Sequence, residues 1–298
     1  MLSFIALLVI GPTATNELDD SYKRLKDAQV KKDASLVKKA AAETCALARS
    51  LAAAPKPAAE ADQAAWKQSV EYAQNIELQT EYALSALAAE SAPDVAVDLL
   101  ETLEKQNPKS RYLEESYGRY LLALSQSGGT ARIPAVAEKG LANFPDHEDL
   151  LLVAADNAMN RKQMERALTF SRRLVAVVSK HPKPEGISAA DWERKRVNCL
   201  SRGYWITGVV TAEKGLYAEA DRNLRAVLPM LKGNDAMAAA AFFYLGVANH
   251  QLGQTTLNKQ RVLEAQKFSE QAAKISGPLA EQAWKNALAS KAVAGRMR

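Results

Sequence analysis

A chain of 298 residues with 48% hydrophobic but only 6% aromatic content takes its apolar side chains mainly from Ala, Leu and Val. That composition favours close-packed helices, and few stretches alternate apolar with polar residues as a strand would. Lys and Arg number 39 against 34 Asp and Glu, a net charge of +5, which speaks against the concentrated basic stripe with stacking aromatics of a nucleic-acid binder. Cys45 and Cys199 are far apart and lack the spacing of a zinc site, so they read as two buried free thiols. The fold class is all-α.

In chain order, Leu2–Ile10 is apolar, ends at Gly11-Pro12, and is too short to span a bilayer. Its length suits the apolar region of a secretory signal, with Thr13-Ala14-Thr15 as a small-residue cleavage site. The basic region that normally precedes such a run is missing; either the true start lies upstream, or this is only a hydrophobic N-terminus. The expectation is a bacterial protein exported to the periplasm, and otherwise a cytoplasmic one. No cysteine follows the run, so a lipoprotein anchor is not supported.

Residues 1–15 are thus assigned to a signal or apolar N-terminus, and 17–60 to a helical hairpin closed by an Ala/Pro hinge. Residues 61–276 form a repeat array, and 277–298 a capping helix. Asp33 is placed to cap the second helix of the hairpin, with Leu36, Val37, Ala40, Leu47 and Leu51 on its inner side. Lys23, Arg24, Lys26, Lys31, Lys32, Lys38 and Lys39 are interleaved with Asp19, Asp20, Asp27, Asp33 and Glu43, as on a solvated face. Ala52–Asp62 is the expected linker, and a long helix follows from about Ala64 to Ser91.

Two periodicities organise the array. Gly208 and Gly215 are seven apart, as are Gly246 and Gly253, and the two pairs lie 38 apart. Pro108, Pro145 and Pro182 follow one another at intervals of 37, each positioned to stop a helix. Repetition at this period points to an α-solenoid of antiparallel helical hairpins. Lys180–Trp192 reads as an insertion before a long helix, and Gln254–Gln260 as a long loop. Gly277-Pro278 opens the final helix, with Lys285, Lys291, Arg296 and Arg298 as its basic outer side.

The units resemble the tetratricopeptide repeat, a 34-residue helix–turn–helix, over about Glu77–Ile275. The resemblance implies a right-handed superhelix. It puts Gly208 and Gly246 at the small position of helix A, and Gly215 and Gly253 at the turn. Ala220 and Ala265 stand at the small position of helix B, and Pro108, Pro145 and Pro182 at the terminal proline; Ala96 and Ala167 are the small crossing points ahead of Pro108 and Pro182. It also implies that helix A lines a concave groove. The groove positions are then Glu81 and Ser85, Arg119 and Leu122, Leu152 and Asp156, Trp205 and Val209, and Phe243, Val247 and His250. The Lys and Asn residues with which some members clamp a C-terminal carboxylate are absent there. Trp205 and Phe243 read either as anchors for an apolar peptide or as packing between helices.

No catalytic pattern emerges. His147, His181 and His250 lie in different units, His147-Glu148-Asp149 begins a helix where acidic residues suit the dipole, and His250 sits near a helix end, where a cationic imidazole is favourable. There is no GxSxG, HExxH or phosphate-cradling glycine loop, and Gly128-Gly129 before Thr130 reads as a helix stop and a new cap. The expected function is a non-enzymatic scaffold without metal or cofactor, holding a segment of a partner protein in the groove. It would bind no nucleic acid and have no stable membrane span. The alternatives are a self-associating structural protein, through the N-terminal stretch or the end hairpins, and an accessory subunit of a cell-envelope enzyme complex.

Overall fold

The computed structural model describes residues 12–184 and 186–297. The apolar run Leu2–Ile10 and Arg298 lie outside them. Among the described residues the chain is all-helical, with short 3-10 turns and no strand. The helices are α1 (Pro12–Val30), α2 (Ala34–Ala52), α3 (Glu60–Glu90), α4 (Pro93–Gln106), α5 (Arg111–Gln126), α6 (Ile133–Leu141) and α7 (Glu148–Asn160). They continue with α8 (Met164–Val178), α9 (Ala189–Glu213), α10 (Tyr217–Val227), α11 (Asp235–Thr255), α12 (Lys259–Lys274) and α13 (Ala280–Arg296). Two compact units divide between Val136 and Ala137. In the first unit α1 to α5 pack each on its successor and on the next but one within that series; in the second, α7 to α13 pack each on its successor, and α7, α9, α11 and α13 also pack each on the next of that series. This is the two-layered stacking of an α-solenoid, with α1, α3 and α5 in one layer of the first unit and α2 and α4 in the other. In the second unit α7, α9, α11 and α13 form one layer and α8, α10 and α12 the other.

One turn recurs at most of the hairpins, and it explains where each helix stops. Lys32, Lys162, Gly215 and Leu257 have φ of 52°, 56°, 75° and 52°, the left-handed conformation that closes a helix. The residue after each donates its backbone N–H five residues back: Asp33 to Ala28 (3.3 Å), Gln163 to Ala158 (2.9 Å), Leu216 to Thr211 (2.8 Å) and Asn258 to Gly253 (2.8 Å). That same residue is the N-cap of the following helix. Where it is Asp33 or Asn258, its side chain also accepts from Leu36 N (3.0 Å) or Arg261 N (3.1 Å). Gly128, with φ of 81°, closes α5 in the same way, Gly129 N donating to Leu124 O at 2.7 Å. Thr130 then begins a 3-10 turn, Thr130–Arg132, rather than capping a helix.

The small residues expected at the crossings fall at a fixed distance from the start of their helix. Ala96, Ala167 and Ala220 each stand four residues past the N-cap, at Ala92, Gln163 and Leu216, and each is at most 2% exposed. In the last hairpin that place belongs to Val262, and Ala265 lies almost one turn further along α12. Gly253 is likewise not at the turn: it is buried inside α11, and the connection that follows is Thr256–Asn258 rather than a loop over Gln254–Gln260. Gly208 and Gly246 are both close crossings. A Cβ on Gly208 would lie 2.5 Å from Leu224 Cγ, and one on Gly246 would press on Ser269 Oγ. Pro108, Pro145 and Pro182 follow the ends of α4, α6 and α8.

The Ala/Pro stretch lies inside the first unit, whose helices α2 and α3 pack together across it. Trp66 Nε1 donates to Ala54 O (2.9 Å) and Gln63 Nε2 to Pro57 O (3.3 Å), which ties the connection onto α3. Ser188 caps α9, accepting from Asp191 N at 3.1 Å, so Trp192 belongs to the helix and is 7% exposed.

Candidate functional site

The groove positions inferred from the sequence meet different fates in the two units. In the first unit, Glu81 is 3% exposed and accepts from Asn107 Nδ2 at 2.6 Å, so it fastens α3 to the end of α4 rather than facing a ligand. Ser85 bonds Ser116 across α3 and α5 (2.9 Å). Arg119 is exposed, and Leu122 is 56% exposed. Helical spacing puts both on one stripe of α5 with Tyr112 and Glu115. Tyr82 of α3, 48% exposed, meets the Tyr112 ring edge-on at 5.5 Å between centroids, and the Arg111 guanidinium lies 4.6 Å from the Tyr112 centroid. The opposite side of α5 is occupied by Leu113, Tyr117, Tyr120 and Leu124, all buried. The exposed side therefore presents two aromatic rings, an aliphatic side chain and two guanidinium groups.

In the second unit the corresponding layer is closed by its own side chains. Lys195 of α9 pairs with Glu148 (3.0 Å) and Asp149 (2.7 Å) of α7, and His181 stands 3.6 Å from Glu148. Burial alone would lower the Lys195 pKa, but the two carboxylates outweigh it and the net shift is upward. Burial alone would raise Glu148, and Lys195 with other contacts brings it below its ordinary value. The acidic start of α7 thus serves an ion pair between neighbouring helices as well as the helix dipole. Further along, Arg202 binds Asp156 and covers the Trp205 ring at 4.9 Å, and Trp205 Nε1 donates to Met237 O of α11 at 3.0 Å. Tyr244 OH donates to Glu213 at 2.6 Å, and His250 Nδ1 bonds Ser290 Oγ of α13 at 2.9 Å.

These bridges correct several expectations. Val209 is 2% exposed within the core of Leu224, Val227 and Leu245, and does not face a groove. Trp205 takes the packing alternative, because its ring joins two core clusters and its indole N–H is already satisfied. Asp156 is paired, and Leu152 packs at the edge of the core around Leu174, Cys199 and Leu200. Phe243 is partly buried and meets Tyr244 edge-on at 5.2 Å; Val247 is also partly buried. His250 is the clearest reversal: burial lowers its pKa, so the neutral imidazole is favoured rather than a cation at a helix end.

A polar network that no local sequence signal marks lies between α10, α11 and α12. Asn249, fully buried, donates to Asp221 Oδ1 at 2.6 Å. Arg225 donates to the same oxygen (2.8 Å) and to Glu264 (2.7 Å), and Arg261 Nη1 reaches Asn249 Oδ1 at 3.2 Å. In the first unit Arg49 plays a comparable part, donating to Glu77 (2.6 Å) and to the carbonyl of Gln106 at the end of α4 (2.7 Å). Both networks join helices rather than line a cleft. An open depression of about 550 Å³ beside α9, lined by Ala190, Arg194, Val197, Ser201, Met230 and Asn234, includes none of the inferred groove residues.

The cysteine chemistry is quiet. Both thiols are free and buried; burial raises Cys45, and it pushes Cys199 up to about 12, so each is held as a thiol at neutral pH. Among the described residues no three His, Cys, Asp or Glu side chains are grouped to hold a metal ion. No helix among them is long and apolar enough to cross a membrane. No model of a known protein family matches this chain, and no curated protein matches it.

Proposed function

We propose that this protein is a non-enzymatic helical-repeat scaffold that holds a segment of a partner protein on the α3/α5 face of its first unit. The observation that carries the reading is the cluster of Tyr82, Tyr112, Arg119 and Leu122, three of them exposed, on adjacent parallel helices whose other sides are packed. Rigid aromatic rings beside guanidinium groups are the residue types that anchor protein interfaces. An amphipathic helix or extended apolar segment carrying a carboxylate matches this chemistry. The resemblance to the tetratricopeptide repeat supports the same choice of layer, since helix A is the groove-lining helix there. Binding on a prefolded stack needs little reordering of the scaffold. The apolar Leu2–Ile10 run supports export as the setting, which cell fractionation with an antibody to the C-terminal half would test.

The test places a photo-crosslinking residue at position 122 of the full chain in the native organism. The specific adducts are then compared with those of a Tyr82→Ala/Arg119→Ala variant carrying the same crosslinker. Loss of the adducts with unchanged circular dichroism supports the reading, and their persistence overturns it. Trp205→Ala serves as the contrast: it should lower thermal stability by removing a core ring, about 3 kcal/mol or more, and leave the adducts in place.

A further inference from the structure

The outer side of α13 is not a continuous polar surface. Ala283, Ala287, Ser290 and Ala294 of α13 form one buried seam against α11 and α12. About 110° around the helix runs a second seam. It comprises Glu281, Trp284, Leu288, Lys291 and Gly295, all exposed, with Trp284 at 53% and Leu288 at 50%. The spacing of three, four, three and four residues is that of a helix–helix contact line. The basic outer side expected from Lys285, Lys291 and Arg296 is thus interrupted by two large, exposed apolar side chains.

We propose that this seam docks on the same seam of a second copy of the chain, with the two α13 helices antiparallel about a two-fold axis at the level of Asn286. The charges specify the occupant and its direction. Antiparallel about that level, Trp284 meets Leu288 of the second copy and Leu288 meets Trp284. Glu281 meets Lys291 at both ends, so a self-complementary apolar pair is flanked by two opposite-charge pairs. A parallel pairing would set Glu281 against Glu281 and Lys291 against Lys291. Lys285 already bonds one Glu281 oxygen within the helix, at 2.6 Å, and the carboxylate retains further acceptor capacity for a second cation. Gly295 adds no side chain where the helices diverge past the contact. Self-complementarity of one patch is the requirement for an isologous dimer. A contact built on a single helix from each copy is small, so the association belongs to the weak, concentration-dependent class.

Sedimentation equilibrium of the full chain, from about 10 µM to about 1 mM, tests this. The weight-average mass should rise from 32.4 kDa toward twice that value. Trp284→Ala/Leu288→Glu should hold it at the monomer value, with helicity unchanged by circular dichroism. Glu281→Lys alone and Lys291→Glu alone each set like charges face to face and should weaken association about tenfold or more. The double exchange Glu281→Lys/Lys291→Glu should restore it. A monomer across the whole range overturns the proposal, as does a dimer indifferent to the four substitutions or a double exchange that fails to rescue. None of these outcomes touches the α3/α5 face, whose test reads adducts at position 122.

Discussion

The hairpins α9–α10 and α11–α12 look like copies in the sequence, each with two glycines seven residues apart, yet the glycines do different jobs. In α9–α10, Gly215 is the left-handed turn residue and a Cβ there would meet nothing within 4 Å, while Gly208 is a crossing point against Leu224. In α11–α12 the turn residue is Leu257, 84% exposed, and both glycines are crossings. Counted back from the left-handed residue, His250 stands where Gly208 stands, and Gly253 where Thr211 does. The crossing nearest the turn then balances itself: Thr211 is nine residues before Ala220, and Gly253 is nine before Val262. A large side chain on one helix goes with a small one on the other. Helix packing tolerates exchange of volume between partners, and does not require that one residue type mark the turn.

Among the changes that test this comparison, the largest effect should come from forcing the second hairpin toward the first. Gly253→Ala puts a Cβ 2.5 Å from Val262 Cγ2 and 2.9 Å from the Val262 backbone nitrogen. A side chain can rotate away, but the start of α12 cannot. After the gain of about 0.5–1 kcal/mol from helix propensity, a net loss of about 2 kcal/mol is expected in urea unfolding. Gly208→Ala meets mainly the Leu224 side chain, 2.5 Å to Cγ with the backbone nitrogen at 3.2 Å, so about half that loss is expected. Combining Gly253→Ala with Val262→Ala, which copies the Ala158/Ala167 crossing of α7–α8, should recover part of it. No recovery would mean that volume exchange at this crossing is not what Gly253 provides.

How much was legible follows from the same residues. The all-helical stack and the approximate helix positions were, because small apolar residues recur with helical spacing and Pro108, Pro145 and Pro182 punctuate them. The turns of the last two units were only half legible. Glycine is the cheapest left-handed residue but not the only one, and Leu257, Lys162 and Lys32 show the conformation without it. The site was the least legible. Whether Trp205 faces a groove depends on a bond to Met237 O, 32 residues away, and nothing local to Trp205 encodes that partner. Arg119 and Leu122 were placed from the repeat pattern and do lie on an open face of α5, but Tyr82 and Tyr112 beside them were not singled out.

The turn itself offers a paired test of opposite sign. Gly215→Ala introduces a Cβ at φ of 75° with no steric contact, so its cost is the left-handed backbone alone, about 1 kcal/mol. Leu257→Gly removes that same penalty from a side chain that is almost wholly in solvent. A gain of about 0.5–1 kcal/mol is expected, less what the more flexible unfolded chain takes back. Thermal or urea unfolding of both variants reads the difference. A stabilising Gly215→Ala, or a strongly destabilising Leu257→Gly, would show that the left-handed residue is not what distinguishes these two turns.

The smallest effect distinguishes the hairpins by pH, because only the second places a histidine at the position held by a glycine in the first. Burial holds the folded-state pKa of His250 below its ordinary value of 6.5. Between the folded and unfolded pKa values the unfolded chain therefore binds more protons, and stability rises with pH. The contribution is fully present above about pH 6.5 and is lost as pH falls through the depressed value. Unfolding midpoints of the wild type between about pH 7.5 and pH 5.5 should fall further than those of His250→Gln, an isosteric-enough neutral amide that can still bond Ser290 Oγ, at present 2.9 Å from Nδ1. His147 and His181 remain in both proteins, so the difference between the two curves isolates residue 250. If the curves are parallel, proton binding at His250 is the same in both states and the bond to Ser290 imposes no preference for the neutral ring. If the wild type instead gains stability on acidification, the imidazolium is the form α11 and α13 hold, and the helix-end reading of this histidine displaces the one based on burial.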